Sequence, residues 1–365
     1  MPKEKSGIDV CISFDTTGSM YPCLTQVRRT VGATVKRLFR DIPDLRIAII
    51  AHGDYCDKES TYVTKVFDFS SNVKSICDFV ERVGSTYGGD TPECYELVLR
   101  EARGLSWTAG KAKAFVVIGD DVPHEPNYPG NTQKIDWRNE LKLLLEMDVN
   151  VYGVHAMPGI RKHSKWFYEA IAKATKGFYL TLDQFAAITD IIFAVCYKQT
   201  GNDGLRAFQQ EVVDAHRMNR NLANVFQALG GMAVDIEDVG GGLVPVPAGR
   251  FQVLQVGEDD RVIRDFVTDQ GLTFEKGRGF YEFTKTETVQ EKKEVVLVDR
   301  RTGDMFSGAA ARDMIGVPFG TRGRVKPTDI ERFQVFVQST SWNRSLKAGT
   351  DFLYEVNDWD RPAEA

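Results

Sequence analysis

Several class-defining features are missing from this sequence. No apolar run approaches the roughly 18 residues that a membrane helix needs. The first residues, MPKEKSGID, carry no apolar core of a secretory signal, so no membrane partner is expected. The six cysteines, at 11, 23, 56, 77, 94 and 196, form no C-x-x-C pair, and none lies beyond Cys196. A disulfide framework would be denser, and a zinc site would show paired spacing. Free thiols in a reducing compartment, the cytoplasm, are the expectation. Excess positive charge is absent too. The formal net charge is −5, which argues against a nucleic-acid partner and against an anionic membrane surface. Low-complexity tracts and charge blocks are also lacking.

What is present is ordinary globular composition, 42% apolar and 27% charged, over 365 residues, a length that suits two domains. Up to about residue 200, apolar runs alternate with stretches of helical period. Strands are expected at 8–14, 45–53, 61–69, 113–119, 149–156 and 177–182. Helices are expected at 21–41, 72–83, 91–104, 137–147, 164–176 and 185–198, with Pro92 in the first turn of the third. Four of the strands have no polar face, as strands buried on both sides of a parallel sheet do. The reading is α/β: a doubly wound, mostly parallel six-stranded sheet. After residue 200 the pattern changes. One long helix is expected over 205–229 and a glycine-rich linker over 230–242. Short β-like runs follow at 249–256, 277–285, 293–299, 333–340 and 352–356, with a turn signal at Thr302-Gly303. The organisation is thus 1–200, a helix and linker over 201–242, and a β-rich or α+β domain over 243–365.

The first strand ends abruptly in VCISFDTTGSM, a burst of small oxygen-bearing side chains. In an open parallel sheet, ligands bind outside the carboxyl ends of strands, where strand order reverses. If the order reverses between strands one and four, Asp15 faces Asp120, which ends the fourth strand in FVVIGDDVPH. The segment YGGDTPE brings Asp90, Thr91 and Glu93 to a helix N-terminus. Every candidate is a carboxylate or a hydroxyl. That donor set selects Mg2+, with Mn2+ or Ca2+ as alternatives, over zinc or copper. Asp54 could assist a neighbouring cation, although a loop role suits it better, and Asp121 reads as a solvent-side neighbour.

Together, DTTGS, GGDTPE and VVIGDD resemble the three ligand loops of the von Willebrand factor A-type domain and its metal-ion-dependent adhesion site. The resemblance covers roughly residues 7–200. It is nearest to the intracellular, kinase-associated branch, through LRIAIIAHGDYCD and WFYEAIAKATKGFYLTLDQF. It implies that Thr17 and Ser19 bind the metal through their hydroxyls, and that Asp15 and Asp120 bind it directly or through water. The second loop departs from the family's commonest pattern, with Asp90-Thr91 after the glycines, and DTPE resembles the D-x-P-E loop of integrin β subunits. Asp90, Thr91 and Glu93 therefore compete for one role, with Asp90 favoured by position.

A metal of this kind supports catalysis only beside a positioned base or nucleophile. Of five histidines, His124, four residues after Asp120, is the one expected near the site, in a rim or structural role. Cys23 and Cys94 read as buried thiols. The resemblance implies binding rather than an enzyme: an acidic residue of a protein partner completes the metal's coordination, with Tyr21, Tyr55 and Tyr87 as candidate rim aromatics. The alternative is that the first domain recruits substrate for a C-terminal enzymatic or nucleic-acid-binding domain. KGRGFYEFTK interleaves basic and aromatic residues, and FVQSTSWNRSLKAG is polar, but neither carries a signature.

Overall fold

The computed structural model describes residues 7–233, except positions 90, 160, 184 and 216, and beyond them the backbone of short strands between 244 and 355. The side chains at 21, 22, 25, 29 and 186 are not among those described.

Strand β1 (Ile8–Asp15) is buried along its whole length. Its alternate residues serve two cores. Val10, Ile12 and Phe14 join one apolar cluster, and Cys11 joins another on the opposite face. That is why the run shows no polar face. Each fully buried Val, Ile or Phe contributes about 2 kcal/mol relative to exposure. The strands β2 (Leu45–His52), β3 (Thr64–Ser70), β4 (Ala112–Gly119), β5 (Asn150–Ala156) and β6 (Tyr179–Leu182) complete a six-stranded sheet in the order β3-β2-β1-β4-β5-β6. All pairs are parallel except β2 with β3 at one edge. From β1 the chain builds outward to β2 and β3, then returns to lay β4, β5 and β6 on the other side. Strand order therefore reverses between β1 and β4.

Helices cover both faces. On one lie α1 (Tyr21–Asp41), α2 (Val73–Arg82) and α6 (Ile188–Thr200), and on the other α3 (Tyr95–Gly104), α4 (Trp137–Glu146) and α5 (Lys165–Ala174). Asn72 and Asp136 cap α2 and α4, accepting from Ser75 N and Arg138 N.

Three local expectations shift. The third strand begins at Thr64 rather than 61. The helix expected from residue 91 begins at Tyr95. Glu93 instead forms a bridge with Pro123, and its N–H donates to Val122 O at 3.0 Å, so tertiary pairing claims the segment before a helix can. The single helix expected over 205–229 is two, α7 (Asn202–Asp214) and α8 (Arg220–Ala228). Asn219 caps the second by accepting from Leu222 N at 2.9 Å. Both helices pack into the α1/α6 core through Leu205, Phe208, Val212, Leu222, Val225 and Phe226. Arg37 on α1 is ion-paired with Glu211, and Arg217 with Asp190 on α6. Asn221 Nδ2 donates to Thr181 O on β6 at 2.8 Å.

In the C-terminal region the backbone forms β7 (Val244–Pro245), β8 (Gln252–Leu254), β9 (Leu272–Glu275), β10 (Phe280–Phe283), β11 (Val295–Asp299), β12 (Met305–Ser307), β13 (Arg324–Val325), β14 (Phe333–Asn343) and β15 (Ala348–Glu355). They make a three-stranded sheet, β13-β10-β9, and a six-stranded one, β7-β12-β11-β14-β15-β8. Each of the five β-like runs overlaps one of these strands. The side chains of KGRGFYEFTK and FVQSTSWNRSLKAG, the Thr302-Gly303 turn and most of the 230–242 linker lie outside the described residues.

Candidate metal centre

Parallel pairing sets Asp15, the last residue of β1, opposite His52, and sets Phe14 opposite Ile118 on β4. Asp15 and Asp120 therefore leave neighbouring strands together at the reversal of strand order. Both are buried. Asp15 Oδ1 accepts from Thr17 N at 2.8 Å and from Thr17 Oγ1 at 2.6 Å. Asp15 Oδ2 accepts from the Tyr95 hydroxyl at 2.8 Å. That hydroxyl also accepts from Asp120 N at 3.2 Å and Tyr168 Oη at 3.1 Å. Ser19 bonds the Asp120 carboxylate.

The second loop is strapped beside the first. Thr86 N donates to Thr16 O at 2.8 Å, and the hydroxyls of Thr16 and Thr86 lie 3.1 Å apart. Asp57 accepts from Tyr87 N, Gly88 N and Asp54 N at 2.9–3.0 Å. Gly88 has φ +65°, and a Cβ there would lie 2.8 Å from Glu93 Oε1, so only glycine lets the loop lie this close. Of the two competing residues in that loop that are described, Glu93 is the one brought inward, 6% exposed. Thr91 is exposed, and Asp90 lies outside the described residues.

The electrostatics are those of a site short of positive charge. Burial, then the neighbouring Asp120, push the Asp15 carboxyl up to about 7. Burial raises Asp120 as well, although Arg161 and Ser19 pull it back. Glu93 is raised well above the usual range by burial and by Asp15, Asp54 and Asp120. Two buried oxygens, Glu93 Oε2 and Asp120 Oδ2, have no hydrogen-bond partner. Arg161 Nε stands 2.9 Å from Asp120 Oδ2, yet its N–H is not aimed along a hydrogen bond, so the contact is ionic only.

Among the described residues, no three or more His, Cys, Asp or Glu side chains are grouped to hold a metal. The resemblance, however, implies a donor set that is partly hydroxyl. On that set, a hard divalent cation fits: paired buried carboxylates without full neutralisation, two orphaned carboxylate oxygens, and Thr17 and Ser19 hydroxyls that keep lone pairs free while donating.

The other expected residues are committed elsewhere. His124 Nε2 lies 2.6 Å from Asp54 Oδ1, and its ring stacks on Tyr128 at 3.7 Å. Tyr55 donates to Glu96 Oε1 at 2.7 Å, Tyr87 is exposed, and the Tyr21 side chain is not described. Asp121 Oδ1 faces His163 Nε2 at 3.2 Å. Cys23 and Cys94 are buried, and burial raises both thiols. Sequence reasoning missed Tyr95 and Arg161. Gly119 was a usable signal for the first, because a Cβ there would sit 1.9 Å from the Tyr95 hydroxyl. Arg161 becomes visible only once strand order places the loop after β5 beside the end of β4.

No family model matches the chain. A protein of Acanthamoeba polyphaga mimivirus, named as an ariadne-like RING finger protein, is 24% identical over 234 residues, covering 59% of this chain and 22% of the viral protein. The chain thus spans about a fifth of that relative. Among solved structures, the vWF domain of the type V pili tip protein Mfa5 from Porphyromonas gingivalis is similar at TM-score 0.41 and 13% identity, covering 55% of this chain and 97% of that one. Proximal thread matrix protein 1 from the mussel byssus is similar at TM-score 0.37 and 16% identity, covering 52% and 44%.

Proposed function

We propose that the chain is a von Willebrand factor A-type protein-interaction module that grips an acidic residue of a partner protein through a Mg2+ between Asp15 and Asp120. Mn2+ or Ca2+ would suit the same oxygens. Thr17, Ser19 and one of the second-loop residues Asp90, Thr91 and Glu93 would complete the protein's share of the ligands, and the burial of Glu93 supports its candidacy. When bound, the cation offers an open position for a partner carboxylate. The observation that carries the reading is the meeting of Asp15 and Asp120, buried and under-neutralised, at the reversal of strand order.

The residues around that pair favour binding over catalysis. His124 is occupied by Asp54, and the thiols of Cys23 and Cys94 are raised rather than activated. Tyr95 holds Asp15 and the Asp120 backbone in one frame, so the crevice is preorganised. A reducing, cytoplasmic setting would keep the six cysteines as thiols. The test is affinity capture with the full chain in Mg2+ and in EDTA. Partners should be lost in EDTA and lost from Asp15→Ala in Mg2+; a partner retained under both conditions would overturn the reading.

A further inference from the structure

Arg161 is a cation that the crevice already contains. Its Nε lies 2.9 Å from Asp120 Oδ2, and its Nη1 lies 3.6 Å from Asp121 Oδ2. Among the described residues, the other basic side chain against these two aspartates is His163, whose Nε2 lies 3.2 Å from Asp121 Oδ1. The Arg161 backbone is anchored. Its N–H donates to Met157 O at 2.9 Å, and its carbonyl accepts from Ser164 Oγ at 2.9 Å. His155 Nε2 lies 2.9 Å from the same carbonyl, which can only accept, so that nitrogen carries the proton. The Ser164 hydroxyl is also 2.7 Å from Asp120 O, which ties the loop to the end of β4.

The guanidinium is held less firmly. The side chain is 30% exposed, and Asp120 Oδ2 gains no aligned hydrogen bond from it. A fixed backbone with a loosely docked, permanently charged head is what an exchangeable counter-ion requires.

We infer that Arg161 is a tethered counter-ion that occupies the acidic crevice in the resting protein and competes with a divalent cation for Asp120. The inference rests on the metal reading above and concerns its regulation. Cation entry requires the guanidinium to leave Asp120 Oδ2 for water, which its partial exposure permits. Resting affinity for Mg2+ is therefore weak. A partner's carboxylate, arriving with the cation, restores the charge balance, so metal and partner bind cooperatively. Two cations cannot share one carboxylate oxygen at this spacing without mutual repulsion.

The test is calorimetric titration of the full chain with MgCl2, comparing wild type, Arg161→Gln, Arg161→Lys and the double variant Arg161→Gln/Asp15→Ala. Arg161→Gln should bind about tenfold tighter than wild type, and the double variant should bind nothing. Arg161→Lys keeps the charge but loses the planar fork; it should fall between wild type and Arg161→Gln, which keeps the test alive if the glutamine variant does not fold. Wild-type binding with no tightening in either single variant overturns the inference and leaves the metal reading standing. No heat from wild type and from the folded arginine variants overturns the metal reading and the inference together. Tightening that survives in the double variant places the metal elsewhere and also overturns both.

Discussion

Strand β1 carries a buried aspartate at each end, and the two are treated oppositely. Asp9 is clasped by Arg46, whose Nε and Nη2 donate to its two oxygens at 2.9 and 2.6 Å, and Thr108 N donates to it at 2.7 Å. Lys111 Nζ stands 3.9 Å away. Burial raises the Asp9 carboxyl, but Arg46 and Thr108 outweigh it, and the net shift is downward. Asp15, equally buried, has hydroxyl and amide donors but no ion-paired cation among the described residues, and its carboxyl rises to about 7. One end of the strand is a finished structural ion pair. The other end lacks such a clasp, and under the proposed reading that difference separates a foundation from a binding site on the same strand.

The sharpest way to break this contrast is at the finished end. Arg46→Met should destabilise the protein by about 3 kcal/mol or more in chemical denaturation, because it strands a buried carboxylate. It should leave Mg2+ binding unchanged, since Arg46 is at the far end of the strand from the crevice.

At the open end the expected sign is reversed. Asp15 holds its proton in the folded chain up to about pH 7 but loses it near pH 4 when unfolded. Its contribution to stability is therefore fully present below about pH 4 and is lost as the pH rises through about 7. Metal-free Asp15→Asn should be more stable than wild type at pH 8, by about 2 kcal/mol, with the gain shrinking toward pH 5. Mg2+ at about a hundredfold its Kd should raise wild-type stability by about 2.7 kcal/mol and the variant's by none. Equal pH profiles in thermal melts would contradict this.

Tyr95→Phe removes the hydroxyl that joins Asp15, Asp120 N and Tyr168. The loss should be about 1–2 kcal/mol, with weaker Mg2+ binding, because it leaves a buried N–H unpaired. The smallest effect belongs to Asp44, which is mostly exposed and pairs with Lys111 at 2.7 Å. Asp44→Ala should change stability by less than about 1 kcal/mol. A larger change would show that the Asp9 end depends on a wider network than its own clasp.

Much of the α/β region was legible because buried parallel strands announce themselves. IDVCISF, LRIAIIAHG and KAFVVIG had no polar face, and all three lie at the centre of the sheet. The aspartates ending two of them marked the crevice before strand order was known. What stayed illegible was set by contacts between distant segments. Glu93 is drawn inward by its bridge to Pro123, close enough to feel the charge of Asp15, while Asp90 lies outside the described residues. The helical stripe over 205–229 ran through a break that Asn219 caps, because apolar period alone does not register a change of axis. Arg161 follows an ordinary strand and gave no local sign of the carboxylates it meets.

The central claim is that a divalent cation lies between Asp15 and Asp120. Crystals of the full chain soaked in Mn2+ and measured for anomalous scattering test it most directly. The expected result is a peak within ligand distance of oxygens from Asp15, Ser19 or Thr17, and Asp120, with the Arg161 guanidinium withdrawn. A crevice without a peak, with Arg161 still on Asp120 at saturating Mn2+, would contradict it.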